Sequence, residues 1–259
     1  MLFRSSASGG VNVQVNCGIM VDSSSSTAMS VSGGSKVTAT YIDLTGKDTV
    51  SGGSTVSPAP VTGVAASSDP LSSLPKPSVG ACTYTSKSVS GGATATLSPG
   101  TYCAGISISG GSKVTFNPGT YVLKGGGLSL SGGSTMTGAG VTFFNTAAIG
   151  YGYGPISLSG GTTVTLSAPA TGSLAGILFF QDSSVGASAP SSFSGGAGAI
   201  LNGTLYFPTT GLTYSGGSSS AYTIIVADTV NFSGGSVLNN NYSSLSGGSP
   251  VKGGAILSE

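Results

Sequence analysis

The chain has no histidine and no tryptophan, a single arginine (Arg4), and only 6% charged residues. Without histidine it lacks the commonest general base and the commonest nitrogen ligand for metals. Eight Lys and Arg residues scattered over 259 positions form no stripe for a phosphate backbone, so nucleic acid is not an expected partner. No apolar run reaches the roughly 18 residues that span a bilayer. Residues 1–10 (MLFRSSASGG) lack the hydrophobic centre of a signal peptide. The formal net charge of +1 and the 38% hydrophobic content argue against charge-driven disorder. Glycine supplies 45 residues but shows no period of three, which excludes collagen.

What is present is a mark. Ser-Gly-Gly starts at Ser8, Ser32, Ser51, Ser90, Ser109, Ser131, Ser159, Ser194, Ser215, Ser233 and Ser246. Several of the intervals cluster near 20 residues, and one is close to twice that, which is the signature of a solenoid. Alternating segments precede the mark (Met29-Ser30-Val31, Ile106-Ser107-Ile108, Leu128-Ser129-Leu130). Others follow it (Lys36-Val37-Thr38, Lys113-Val114-Thr115, Thr135-Met136-Thr137). A period of two reads as a half-buried strand, and the glycine pair between them as a bend. Pro-Gly-Thr-Tyr at Pro99 and again at Pro118 marks another corner, since proline cannot donate to a ladder.

Three short strands and three corners per turn of roughly 20 residues predict an all-β, right-handed parallel β-helix. Residues 1–259 are read as one such domain of ten to thirteen coils, about 50–60 Å long at about 4.8 Å per coil. Ile106, Leu128 and Ile156 should form one internal ladder; Val114, Met136 and Val164 should form another. The apolar runs Gly176-Ile177-Leu178-Phe179-Phe180 and Thr223-Ile224-Ile225-Val226 predict strands buried on both faces, the outer one under a loop or a partner. Residues 58–77, proline-rich and aperiodic, read as a loop crossing the rod.

Of three cysteines, Cys82 and Cys103 lie 21 residues apart, about one coil. That spacing puts them within disulfide reach if their side chains face each other. Three small buried hydrophobes is the competing reading. Cys17 is left without a partner.

For chemistry, Asp182 and Asp228 are the best-placed carboxylates, each after an apolar strand and two coils apart, near 10 Å. That spacing is marginal for an inverting glycosidase. The bland alternative is a pair of corner residues bonded to backbone N–H groups. Thr94/Thr96, Thr135/Thr137 and Thr163/Thr165 invite an ice-binding reading, which Lys36 and Lys113 interrupt. The exposed aromatics Tyr41, Tyr84, Tyr151, Tyr153 and Tyr242 are the candidate surface contacts, with Tyr151 and Tyr153, set between glycines, and Tyr41 foremost, because tyrosine has a flat apolar face with a polar tip. No catalytic residue, metal or cofactor is expected.

The motifs Asn16-Cys17-Gly18-Ile19, the serines at 23–26, Asp69-Pro70-Leu71, Cys82-Thr83-Tyr84 and Pro99-Gly100-Thr101-Tyr102-Cys103 carry a resemblance. So do Gly176-Ile177-Leu178-Phe179-Phe180-Gln181-Asp182 and Asn239-Asn240-Asn241-Tyr242. Over nearly its whole length the chain resembles the C-terminal region of G-like minor components of the bacterial tight-adherence (Flp-type) pilus-assembly system. The resemblance implies a nonenzymatic structural or adhesive role among envelope or pilus proteins, with glycans or surfaces as further partners. It also implies a periplasmic or cell-surface location and an upstream membrane helix absent from this chain. The expected consequence is a cut edge at the first coil, exposing Val11, Val13 and Val15.

Overall fold

A computed structural model describes residues 2–159, 161–186, 189–194, 199–216 and 219–251. Its regular structure is all strand, 23 in number among the described residues, with no helix. The strands pair in parallel and build a β-helix of about 10 turns, about 22 residues each.

The rod has three faces. The first carries Gly119–Lys124, Val141–Thr146, Ile177–Gln181, Ile19–Val21, Ile42–Leu44 and Val61–Thr62. The second carries Leu128–Leu130, Ile156–Leu158, Met29–Val31 and Asp48–Val50. The third carries Thr94–Leu97, Lys113–Phe116, Thr135–Ala139, Lys36–Thr38 and Thr55–Ser57. Long strands such as Ile200–Gly216 and Thr223–Leu238 bend across faces.

Alternation along each strand sends every second side chain inward. Ile106 pairs with Leu128 and Leu128 with Ile156; Val114 pairs with Met136 and Met136 with Val164, so both expected ladders are present. Under the first face, Tyr102, Tyr121, Phe143 and Phe179 stack with ring centroids 5.8, 5.3 and 5.1 Å apart. The buried phenols keep their hydrogen bonds: Tyr102 donates to the Ser98 carbonyl at 2.7 Å, and Tyr121 lies 2.7 Å from that of Asn117.

The Ser-Gly-Gly marks at Ser32, Ser51, Ser109 and Ser131 are corners, and in each the two glycines answer different constraints. In the first, a Cβ would press on the coil below. One on Gly110 would lie 3.0 Å from the Gly91 nitrogen, and one on Gly52 would lie 2.9 Å from that of Gly33. The second glycine has open space but a left-handed backbone, φ 75° at Gly111 and 78° at Gly34. Of the expected corner glycines, Gly160 lies outside the described residues. The serine that follows the pair is buried at Ser35, Ser112 and Ser134. Ser112 Oγ donates to the Ser109 carbonyl at 2.8 Å, and its N–H reaches Ser134 Oγ on the next coil at 3.1 Å.

Coil order in space departs from coil order in sequence. Leu2–Ala7 and Asn12–Val15 lie directly on Thr223–Leu238, with Arg4 opposite Thr229 and Val13 opposite Ser236. Asn16 bonds Asn239 at 2.7 Å across this junction. The expected cut edge is therefore corrected: Val11, Val13 and Val15 are 6%, 0% and 3% exposed. Asn12–Val15 is paired on both sides, with Thr223–Leu238 and with Lys36–Thr38. The coils run in space from 84–97 up to 238, then from 2 to 62. The two ends of the rod are consecutive in the chain.

Residues 63–83 must therefore return along the whole rod. Twenty-one residues reach about 70 Å at most, and ten coil spacings need about 48 Å, so the strap fits with slack for a turn. The crossing loop expected at 58–77 begins later than anticipated, because Val61–Thr62 is still a strand of the last coil.

Candidate functional site

The strap lies on the outside of the first face, where the sequence left apolar side chains pointing outward. Val122, Phe144, Ile177, Phe180, Tyr206 and Val226 form a second cluster there, and Leu71 of the strap is buried among them at 3% exposure. This is the cover anticipated for strands apolar on both faces.

Polar ties fasten the strap level by level. Near one end, the Ser67 N–H bonds Asp22 Oδ1 at 3.1 Å. Next, the Tyr206 hydroxyl donates to Asp69 Oδ2 at 2.6 Å, and burial with that carboxylate pushes the phenol up. Further along, Lys76 Nζ meets Asp182 Oδ1 at 2.7 Å. Asp182 also accepts from the Ser184 N–H at 2.9 Å and the Thr146 hydroxyl at 2.8 Å. Burial raises the Asp182 carboxyl, but Lys76, Ser184 and Thr146 together outweigh it and hold the group at about 2. Lys124 Nζ then reaches the Gly80 carbonyl at 3.4 Å. The strap ends in a disulfide between Cys82 and Cys103, with Cα atoms 5.6 Å apart. Cys17 is a free thiol, half-buried, and burial pushes its pKa up.

The three candidate tyrosines do not form one site. Tyr151 stands at the disulfide. Its hydroxyl is 3.6 Å from Cys82 Sγ and must be the donor, since a disulfide has no S–H, while Lys124 Nζ sits 5.7 Å from its ring centroid. Tyr153 turns the other way. Its hydroxyl is shut from solvent in a recess edged by Thr210, Ser191 and Asn145, none of them at good hydrogen-bond geometry, and burial pushes it up. Tyr153 as a residue is half-buried like Tyr151, but its polar tip is not offered to a partner. Tyr41 is 51% exposed, its ring lying where a Cβ on Gly18 would be, and it sits several coils away toward the other end.

No family model, curated protein or solved structure matches this chain.

Tyr84, one of the exposed aromatics that the sequence offers, stands in the same end region, and a lysine attends it. Tyr84 is 37% exposed, stacks on Tyr102 at 4.7 Å, and has Lys87 Nζ 5.9 Å from its centroid. Tyr84 and Tyr151, each attended by a lysine, flank the disulfide at the end of the strap. Beside them a groove of about 510 Å³ opens between strap and rod, lined by Lys76, Pro77, Gly80, Thr101, Thr120 and Val122. The only sequence signal for this grouping was the Cys82-Thr83-Tyr84 run, whose meaning depends on where the strap lands.

Asp182 and Asp228 fall on the first-face ladder two coils apart through the Tyr206 level, near 10 Å. Asp182 is engaged as a strap tie. On the third face Thr96, Thr115, Thr137 and Thr165 stack in register, with Thr115 and Thr137 hydroxyls 3.3 Å apart, and Ile200 ends the column. The adjacent column reads Thr94, Lys113, Thr135, Thr163.

Proposed function

We propose that the chain is a nonenzymatic structural component of a bacterial envelope or pilus-assembly system, presenting a contact surface outside the inner membrane. One observation carries this reading: a strap that runs the length of the solenoid, is tied at successive levels and is closed by a disulfide. A rod built so holds its ends at a fixed separation, which suits a spacer or tip rather than a cleft that opens and closes. A structural disulfide fits an oxidising compartment such as the periplasm or cell surface. Asp182, the best carboxylate in the chain, is spent on an ion pair and two further hydrogen bonds, which supports a structural role for it.

Adhesion is assigned to the patch of Tyr84, Tyr151, Lys87 and Lys124. Flat rings beside ammonium groups suit sugars, acidic glycans and protein partners. The test compares whole-cell and pilus binding with a polysaccharide degradation screen containing calcium. Tyr84→Ala with Tyr151→Ala should weaken binding about tenfold, and Asp182→Asn with Asp228→Asn should leave binding nearly unchanged. Chain cleavage lost in the double aspartate variant would instead establish a polysaccharide-active enzyme. The ice-binding reading has the four-coil threonine column in its favour and Lys113 against a flat match; thermal hysteresis abolished by Thr137→Lys would establish it.

A further inference from the structure

The two open ends of the rod carry opposite charges at the same internal position. Following one inward column of the second face through its register gives Lys87, Ile106, Leu128, Ile156, Ser191, Leu212, Val230, Ser5, Met29 and finally Asp48. Between the ends this column is buried and uncharged, apolar except for Ser191 and Ser5. At one end it closes on an ammonium and at the other on a carboxylate. Neither takes part in an ion pair among the described residues.

The end coils are otherwise alike. Two positions further on, Val89 and Val50 occupy one column, and Val50 is 39% exposed. Both ends carry the Ser-Gly-Gly corner, at Ser51 and Ser90. Asp48–Val50, Thr55–Ser57 and Tyr84–Val89 each pair with a neighbour on one side only. Strand direction is the same throughout, because every ladder is parallel and the chain climbs the axis in both of its halves.

From this we infer that the protein associates head to tail with a second copy. The 48–62 end of one molecule stacks on the 84–97 end of the next, and Asp48 faces Lys87 across the joint. Inward-pointing charges are a known guard against edge-to-edge pairing. Guards of one sign would block every contact. Guards of opposite sign block only like ends, Asp48 on Asp48 and Lys87 on Lys87, and pair with each other in the column where unlike ends meet, the exposed Lys47 beside Asp48 lying outside that column. A head-to-tail joint between identical molecules does not close, so the product is an open string of rods. This inference does not rest on the envelope reading, but it takes Lys87 and the end coil that carries Tyr84 for the joint, which leaves Tyr151 and Lys124 as the part of the contact patch open to other partners.

Sedimentation of the full chain over a wide concentration range provides the test. The wild type should form a concentration-dependent series beyond the dimer, weakening as salt screens the joint. Asp48→Lys and Lys87→Glu should each weaken self-association at least tenfold, with folding checked by circular dichroism. Mixed in equal amounts the two variants should reassemble, because each then meets an opposite charge at both ends. The in-chain exchange of Asp48→Lys with Lys87→Asp should assemble alone. A wild type monomeric at every concentration would overturn the inference and leave the charges as guards only. Single variants that still associate would overturn it, as would a mixture of folded variants that does not reassemble.

Discussion

At the corners the fold rests on single atoms. A Cβ on Gly110 would come 3.0 Å from the Gly91 nitrogen of the coil below, whereas at Gly111 only the backbone angle matters. Replacing Gly111 with alanine should cost about 1 kcal/mol, the ordinary penalty for a left-handed residue. Gly110→Ala should cost more, about 2–3 kcal/mol, because the coil must also shift. Gly91 supplies the control: it has the same φ of about 66° but no atom within 4 Å, and it should behave like Gly111. Equal losses at Gly110 and Gly91 in urea unfolding would mean the close approach is not felt. The sequence announces these glycines but not the division of labour between them, since that depends on which coil lies beneath. The buried serine after the pair was likewise visible as a letter but silent as a role, because its hydroxyl is satisfied by a neighbouring coil.

Asp182 makes a residue-scale prediction about pH. Its folded value of about 2 lies below an unfolded value near 3.9, so the stability it contributes is present above about pH 4 and is lost as pH falls toward 2. Lys76 is half-exposed, so screening limits the contribution to about 1–2 kcal/mol. Asp182→Asn should flatten that part of the stability curve. An unchanged acid limb in the variant would show that the ion pair does not hold the strap.

Among the elements, the strap has the most to lose. Leu71 is its buried anchor, and Leu71→Ala should destabilise by about 2–4 kcal/mol. The disulfide closes a loop of about one coil, so reducing it should cost about 3 kcal/mol. Alkylation of the unfolded oxidised chain should block one thiol, Cys17, and all three after reduction; three in the oxidised sample would contradict the pairing. The strands themselves were legible from alternation, and the double-sided apolar runs from their lack of it. The strap was legible as an aperiodic, proline-rich piece. Its path was not, because ties such as Ser67 to Asp22 and Lys76 to Asp182 join residues 45 and 106 apart with no local pattern. The same limit hid the lysine beside each of Tyr84 and Tyr151 and the enclosed hydroxyl of Tyr153: alternation with glycine does not say which polar tip meets the rod.

For the whole molecule, the decisive fact is the order of the coils. Eleven nearly identical corner marks establish that coils stack, but identical marks cannot say which stacks on which. The reading that chain neighbours are space neighbours holds from 84 to 238 and again from 2 to 62, and fails where the two runs meet, because long-range pairing of 2–15 with 227–238 wins. Asparagines 16 and 239 at that junction were noticed as motif letters, not as partners. The most direct test is a distance measured by electron spin resonance between labels at Thr49→Cys and Ser88→Cys, in a Cys17→Ser background diluted with unlabelled protein. These positions are 39 residues apart and share one column at opposite ends of the rod, nine coil spacings or about 43 Å from each other. A distribution centred near 40–45 Å is the expected result; one below about 20 Å would place the two coils side by side, as their sequence order suggests, and would contradict the strapped, reordered rod.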